Sequence, residues 1–199
     1  LPSLRLATLL HLRQPASVDL YLDDVLQHAR LIIIDHLGGE SYWPYGTERV
    51  VELCCARNIP LAMFSGDTTE DTNLLLKSTL AQEDCRTLWR YLREGGALNA
   101  REMLRFVSAR FFARALPYAP PRPLPAISIY HPATELGTLA DWQAQWHHDV
   151  PAVAVLFYRS HLQAGNTNVF QHLCEQLLQQ GMNPLPLALV SLKDSLCVD

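Results

Sequence analysis

Several motifs that would assign an activity directly are missing from this chain of 199 residues. It has no Gly-x-x-x-x-Gly-Lys-Ser/Thr loop for nucleoside triphosphates, and no Gly-x-Gly-x-x-Gly follows a predicted strand. The His-Glu-x-x-His helix of zinc peptidases and the serine elbow of α/β-hydrolases are also absent. The sequence therefore excludes ATP hydrolysis by a standard motif, and its function has to be sought in other features.

Clustered basic charge, long apolar runs and paired cysteines are scarce as well. The formal net charge is −4, and the lysines and arginines are not clustered as a nucleic-acid footprint requires. No apolar run approaches the roughly 20 residues that cross a bilayer, and nothing resembles a signal peptide. The five cysteines form no Cys-x-x-Cys pattern and predict buried free thiols. We therefore expect a cytoplasmic protein that binds neither nucleic acid nor membrane.

The stretch from Ala152 to Val190 predicts a strand, a helix and a second strand. Val153–Tyr158 is an unbroken apolar run, which is typical of a strand buried on both faces. From Thr167 the apolar residues recur three and four apart until Gly181, as on one face of a helix. Leu185–Val190 then predicts a second buried strand. Such a βαβ unit implies a parallel pair joined by a right-handed crossover.

Strand and helix patterns also alternate through the first 65 residues, which predicts another parallel-sheet unit. The predicted strands are Leu6–Leu12, Arg30–Asp35 and Ile59–Ser65, with helices after Ser17 and Thr47. Three helical stripes follow, and then five prolines between 117 and 125 predict a stiff segment that joins no sheet. A further strand is predicted at Ala126–Tyr130.

These patterns predict an α/β fold class with parallel-sheet βαβ units of the Rossmann or flavodoxin-like type. We expect a first domain at 1–135, including the helical segment 71–115 and the proline-rich crossing 117–125. A connecting helix and domain boundary are expected at 136–151. The start of a second, truncated α/β domain is expected at 152–199.

Polar side chains with useful chemistry follow the first strand of the βαβ unit. Arg159, His161 and Asn166 lie at its C-terminal end, the edge at which open α/β sheets bind ligands. Arginine offers bidentate donors to carboxylates, and imidazole can move protons or bind Co²⁺. Their structural alternative is that Arg159 pairs with a nearby acid while His161 and Asn166 hold the loop.

Three further candidates lie elsewhere. Tyr42 and Trp43, after Gly38-Gly39, could present aromatic faces to a flat ligand, although covering the sheet edge is the simpler role. His131 ends a predicted strand, and we expect it at the same kind of edge, with a structural role as the alternative. The acidic loop at Asp67, Glu70 and Asp71 could attract a cation, but helix capping explains it more simply.

Four segments, in this order along the chain, resemble the CobN-type large subunit of aerobic cobaltochelatase, a family related to the large subunit of magnesium chelatase. They are HARLIIIDHLGGESYWPYG, LWRYLREGGALNAREMLRF, ISIYHP and VAVLFYRSHLQAGNTNVFQHLCEQLLQQGMNPLPLALVSLKD. The resemblance extends over nearly the whole chain. Because members of this family are far longer, it implies that these residues are an N-terminal portion.

The resemblance implies a tetrapyrrole-binding subunit that inserts Co²⁺, as a substrate, into hydrogenobyrinic acid a,c-diamide during cobalamin biosynthesis. ATP and Mg²⁺ would be used by separate AAA+-type ATPase subunits. His161 would then be a catalytic residue and a metal ligand, while Arg159, Asn166, Tyr42, Trp43 and His131 would bind the substrate. Two alternatives stay open: a magnesium chelatase large subunit that acts on protoporphyrin IX, and a non-catalytic scaffold or docking portion of the chelatase.

Overall fold

A computed structural model describes residues 3–36 and 38–193, and the chain divides into two compact units, Leu1–Arg93 and Glu94–Asp199. The helices are α1 Pro15–Asp24, α2 Pro44–Arg57, α3 Thr72–Leu76, α4 Gln82–Glu94, α5 Gly96–Phe111, α6 Leu139–Gln143, α7 Arg159–Gln163 and α8 Asn168–Gln179. The strands are β1 Ile32–His36, β2 Leu61–Ser65, β3 Ile127–His131, β4 Glu135–Gly137, β5 Ala152–Tyr158 and β6 Asn183–Leu189. Short 3-10 helices occupy Leu9–Leu12, Leu26–His28 and Glu40–Tyr42. None of the helices within the described ranges is long and apolar enough to cross a membrane.

The first unit is built around a parallel pair of strands. β1 and β2 run in register from Ile32 opposite Leu61 to His36 opposite Ser65, as the alternating pattern predicts. The predicted strand at Leu6–Leu12 is wrong. Residues 3–8 form no regular element, Leu9–Leu12 is a 3-10 helix, and Leu6 is 86% exposed. An apolar run alone does not make a strand when no neighbouring strand is available to pair with it.

The second unit contains a four-stranded mixed sheet in the order β4-β3-β6-β5. β5 and β6 are parallel and are connected through α7 and α8, which confirms the predicted βαβ unit. β3 is antiparallel to both β4 and β6. The predicted α/β class with parallel strand pairs is therefore confirmed, with an antiparallel extension on one side of the second sheet.

β5 is covered on one face only, whereas its composition predicts burial on both. Val155 and Phe157 are buried against clusters formed with Trp142, Cys174 and Leu162. Leu156 and Tyr158, which point to the opposite face, are 50% and 59% exposed. β5 therefore has the sequence of a strand buried on both faces, although the described residues cover only one of them.

The domain boundary expected at 136–151 stays a prediction. The compact units divide between Arg93 and Glu94, at the junction of α4 and α5. β3 lies before residue 136 yet pairs with β6, so residues 127–131 and 183–189 belong to one sheet. Sequence patterns place elements along the chain, but they do not show which strands will share a sheet.

The proline-rich strap (residues 117–125) joins no sheet, as predicted, and it is held through its backbone. The Ala119 N–H donates to a carboxylate oxygen of Glu102 at 3.0 Å, and the Leu124 N–H donates to Glu94 at 2.8 Å. Between them, the amide of Asn99 bonds both the N–H and the C=O of Arg122. Three buried or partly buried side chains thus supply the partners that a proline-rich backbone cannot find in a sheet.

Candidate functional site

α7 follows β5 without a loop, so its first residue stands at the carboxyl end of the parallel β5–β6 pair. Gly165, with φ +67°, then turns the chain towards α8. At the other end of α7, Gly95 lies so close that a Cβ there would be 2.7 Å from the carbonyl oxygen of Gln163. Close backbone packing therefore positions the helix that carries Arg159 and His161.

Arg159 is tied to the proline-rich strap. Its Nη1 donates to the carbonyl oxygen of Leu124 at 2.8 Å and, at 3.5 Å, to that of Pro125. The partners are thus backbone carbonyls and not the acid that the structural alternative anticipated. The side chain is half-buried, and a guanidinium has five N–H donors, so this contact occupies only part of its capacity.

His161 is half-buried beside an aromatic ring. Its imidazole meets Phe170 edge-on, with ring centroids 5.1 Å apart and planes at 73°. Its carbonyl accepts a hydrogen bond from the backbone N–H of Asn166 at 2.8 Å, which closes the turn after α7. The side chain of Asn166 is exposed. Arg159, His161 and Asn166 are therefore brought together at one sheet edge, as predicted.

His131 lies at the opposite end of the sheet, so its assignment to the same kind of edge is wrong. β3 is antiparallel to β6, and Ile127, not His131, is paired with the carboxyl-terminal Leu189. The Nδ1 of His131 accepts the Ala133 N–H at 3.3 Å, and its ring contacts Trp142 at a centroid distance of 5.5 Å. Strand direction, which a single sequence does not reveal, causes the error.

Trp43 belongs to the core of the first unit. Only 4% of it is exposed, and its indole N–H donates to the carbonyl of Leu12 at 2.6 Å. Tyr42 is half-buried, with the guanidinium of Arg13 over its ring at 5.6 Å. The structure thus supports the edge-covering role for these aromatics and leaves only Tyr42 with a partly exposed ring.

The carboxyl edge of the β1–β2 pair carries an open cleft of about 460 Å³, lined by Gly38, Gly39, Ser65, Asp67 and residues 69–73. The carboxylate of Asp71 accepts the N–H groups of Asn73 and Leu74, at 2.9 and 3.2 Å, and caps α3. Glu70 pairs with Arg86 at 3.1 Å. The capping interpretation of the acidic loop is confirmed for Asp71. Across the described residues, no three His, Cys, Asp or Glu side chains are grouped to hold a metal ion.

Two sets of buried polar side chains were not predicted from the sequence. His36, at the end of β1, is fully buried with its Nε2 3.3 Å from the hydroxyl of Thr47. Asn99 and Glu102, which bind the strap, are also buried although they lie in a helix of mixed polarity. Their spacing of three residues, which puts both on one face of α5, is a signal that could have found them.

Comparison with known proteins identifies the family to which this chain is similar. A family model described as CobN/Magnesium Chelatase matches residues 89–198. The chain is 43% identical over 197 residues to the aerobic cobaltochelatase subunit CobN of Pseudomonas aeruginosa, covering 99% of the chain and 16% of that protein. It is 33% identical over 204 residues to the subunit of the same name from a Sinorhizobium species, covering 98% of the chain and 16% of that protein.

The fold has a match among solved structures. The catalytic subunit of cobaltochelatase from Mycobacterium tuberculosis superposes with a TM-score of 0.71 and 30% sequence identity, covering 89% of this chain and 14% of that one. The chain thus spans about a sixth of the length of the curated relatives that it matches. Sequence and structure together show that the chain belongs to the CobN/magnesium chelatase family.

Proposed function

We propose that this chain is a portion of the tetrapyrrole-binding large subunit of a cobaltochelatase, which inserts Co²⁺ into hydrogenobyrinic acid a,c-diamide in aerobic cobalamin biosynthesis. The observation that carries the proposal is the 43% identity to a CobN subunit over 99% of the chain. As the family resemblance implies, ATP and Mg²⁺ would be used by separate AAA+-type ATPase subunits in the cytoplasm, and the lack of a P-loop in these 199 residues agrees with that division.

Inserting a metal into a macrocycle requires removing water from the ion and protons from the ring nitrogens. A base and a transient metal ligand serve those steps, and imidazole can act as either. We assign that role to His161, at the carboxyl edge of β5. Neither of its ring nitrogens has a hydrogen-bond partner among the described residues, so both are available to a substrate.

Arg159 would bind a carboxylate of the macrocycle with the donors that its strap contacts leave over. Its Nη1 is engaged by the carbonyl of Leu124, while the rest of the guanidinium can form a charge-assisted pair with a carboxylate. The exposed amide of Asn166 stands beside the same turn and would bind a polar group of the periphery. Tyr42 would offer its partly exposed ring to a flat ligand, whereas the contacts of Trp43 and His131 support structural roles.

The test is an absorbance titration of hydrogenobyrinic acid a,c-diamide into the full-length subunit that carries this sequence, together with an assay of cobalt insertion. The variants are His161→Ala, Arg159→Ala and Arg159→Lys. His172→Ala is the matched control, because His172 is exposed on α8 and its ring Nδ1 contacts the carbonyl of Asn168 in the same helix. We expect at least a tenfold loss of affinity or turnover in the first two variants, about 1.4 kcal/mol, and none in the control.

Each other result points to a different conclusion. If His161→Ala and Arg159→Ala bind and turn over like the wild type, the edge has no part in the reaction and the scaffold alternative gains. That alternative has one observation in its favour, the contact of Arg159 with the strap backbone. If the wild-type subunit prefers protoporphyrin IX, the magnesium chelatase alternative replaces the cobalt assignment. Hydrogen exchange of residues 117–125 in the Arg159 variants separates a lost substrate contact from a released strap.

A further inference from the structure

β5 is unusual for an edge strand in three respects. It is an edge strand in the sheet order β4-β3-β6-β5, it is paired in parallel with β6, and its seven residues, Ala152–Tyr158, carry no charge. Parallel pairs are ordinarily covered by other elements on both faces. Natural edge strands are ordinarily protected by charges, prolines or bulges, and β5 has none of these.

The uncovered face of the β5–β6 pair is apolar. Residues that lie side by side in a parallel pair point to the same face, so Leu156 lies beside Leu187, and Ala154 beside Leu185. Leu156 and Ala154 are exposed, and the two leucines of β6 are only partly buried. The opposite face is closed by the clusters that contain Val155, Trp142 and Cys174. One face of this pair is thus packed, and the other exposes side chains suited to a core except at its carboxyl end, where Leu189 is buried.

We infer that the free edge of β5 and this apolar face form a docking surface for a further strand and helix of the same polypeptide. The curated relatives are about six times longer than the stretch they share with this chain, so most of such a polypeptide lies outside the present residues. A strand tethered in the same chain reaches an effective concentration of the order of millimolar without any new association step. A parallel strand added beside β5 would leave no unpaired edge there, and its crossover helix would cover Leu156 and Leu187.

This inference does not depend on which metal or macrocycle the subunit uses. The test is residue-resolved hydrogen exchange on the wild-type full-length subunit, with β6 as an internal reference. β6 is paired with β5 along its length and with β3 over Leu187–Leu189, so the amides of Leu187–Leu189 set the level expected of a central strand. We expect all amides of β5 to exchange as slowly as those of Leu187–Leu189, and at least tenfold more slowly than amides of exposed loops.

A pair of substitutions tests the face as well as the edge. Leu156→Asp places a charge on the docking surface, while Leu104→Asp makes the same change at a leucine of α5 that is similarly exposed, at 45%. We expect faster exchange over Ala152–Tyr158 in the first variant and wild-type exchange in the second. Should Leu156→Asp fail to fold, the wild-type measurement still decides.

Two outcomes would overturn the inference. In the first, alternate amides of β5 exchange as fast as loop amides in the full-length subunit, which means that nothing pairs with the edge. In the second, protection of β5 appears only at concentrations where the subunit self-associates and is lost on dilution. The occupant would then be a second copy of the chain and not a later segment of the same one.

Discussion

The proline-rich strap offers the most direct test of how the second unit is held together. Asn99 is 4% exposed. Its side-chain N–H₂ donates to the carbonyls of Gly95 and Arg122, at 2.8 and 2.9 Å, and its oxygen accepts the N–H of Arg122 at 2.8 Å. One side chain thus joins the start of α5 to the strap. The perturbation is Asn99→Ala, which removes all three hydrogen bonds.

The magnitude follows from counting those bonds. At about 1 kcal/mol net for each hydrogen bond, three bonds contribute about 3 kcal/mol. Arg122 is exposed, so water can replace part of what its backbone loses. Alanine is also favoured over asparagine in a helix by about 0.6 kcal/mol. We therefore expect Asn99→Ala to lower the free energy of unfolding by about 2 kcal/mol.

The assay is urea unfolding combined with hydrogen exchange over residues 117–125. Asn99→Asp keeps an acceptor for the Arg122 N–H but sets a carboxylate against two carbonyl oxygens, so it should destabilise more than alanine does. Ser108→Ala is the control, because Ser108 lies on the same helix and its hydroxyl donates to the carbonyl of Leu104 within that helix. The reasoning is refuted if Asn99→Ala unfolds at the wild-type urea concentration, or if Asn99→Asp is as stable as the wild type.

Three further predictions concern other contacts. Gly46→Ala should lower the urea midpoint strongly, because a Cβ there would lie 1.9 Å from the indole of Trp43; a wild-type midpoint would contradict it. The pKa of Glu102 is lowered, chiefly by the hydrogen bond from the Ala119 N–H and then by neighbouring arginines. This carboxylate therefore stabilises the fold above its usual pKa of about 4.3, and its contribution is lost as the pH falls from there through the lowered pKa. In Glu102→Gln, the free energy of unfolding should decrease less steeply as the pH is lowered. Burial raises the pKa of Cys54 to about 11, so this thiol should resist alkylation at pH 8 in the native chain, as peptide mapping would show.

Elements defined by local patterns were predictable, and their partners in space were not. The change from an apolar run to helical spacing after Thr167 identified the β5–α8–β6 unit, because period and capping are local properties. His131 was assigned to the wrong edge because the direction of β3 depends on pairing with β6, more than fifty residues away. The partners of Arg159 could not be predicted either, because Leu124 lies 35 residues earlier in an extended segment.

The catalytic and structural interpretations of the α7 edge need not exclude one another. A base or metal ligand is effective only if its position is held, and His161 sits on a helix of five residues that could not hold itself. Arg159 anchors the start of α7 to the strap, and the backbone of Gly95 packs closely against Gln163 at the end of α7. A guanidinium that binds a carbonyl of the strap through one nitrogen still has further N–H donors. The same contact that makes Arg159 a structural residue is therefore the one that would fix its remaining donors, and the imidazole two residues later, for a ligand at this edge.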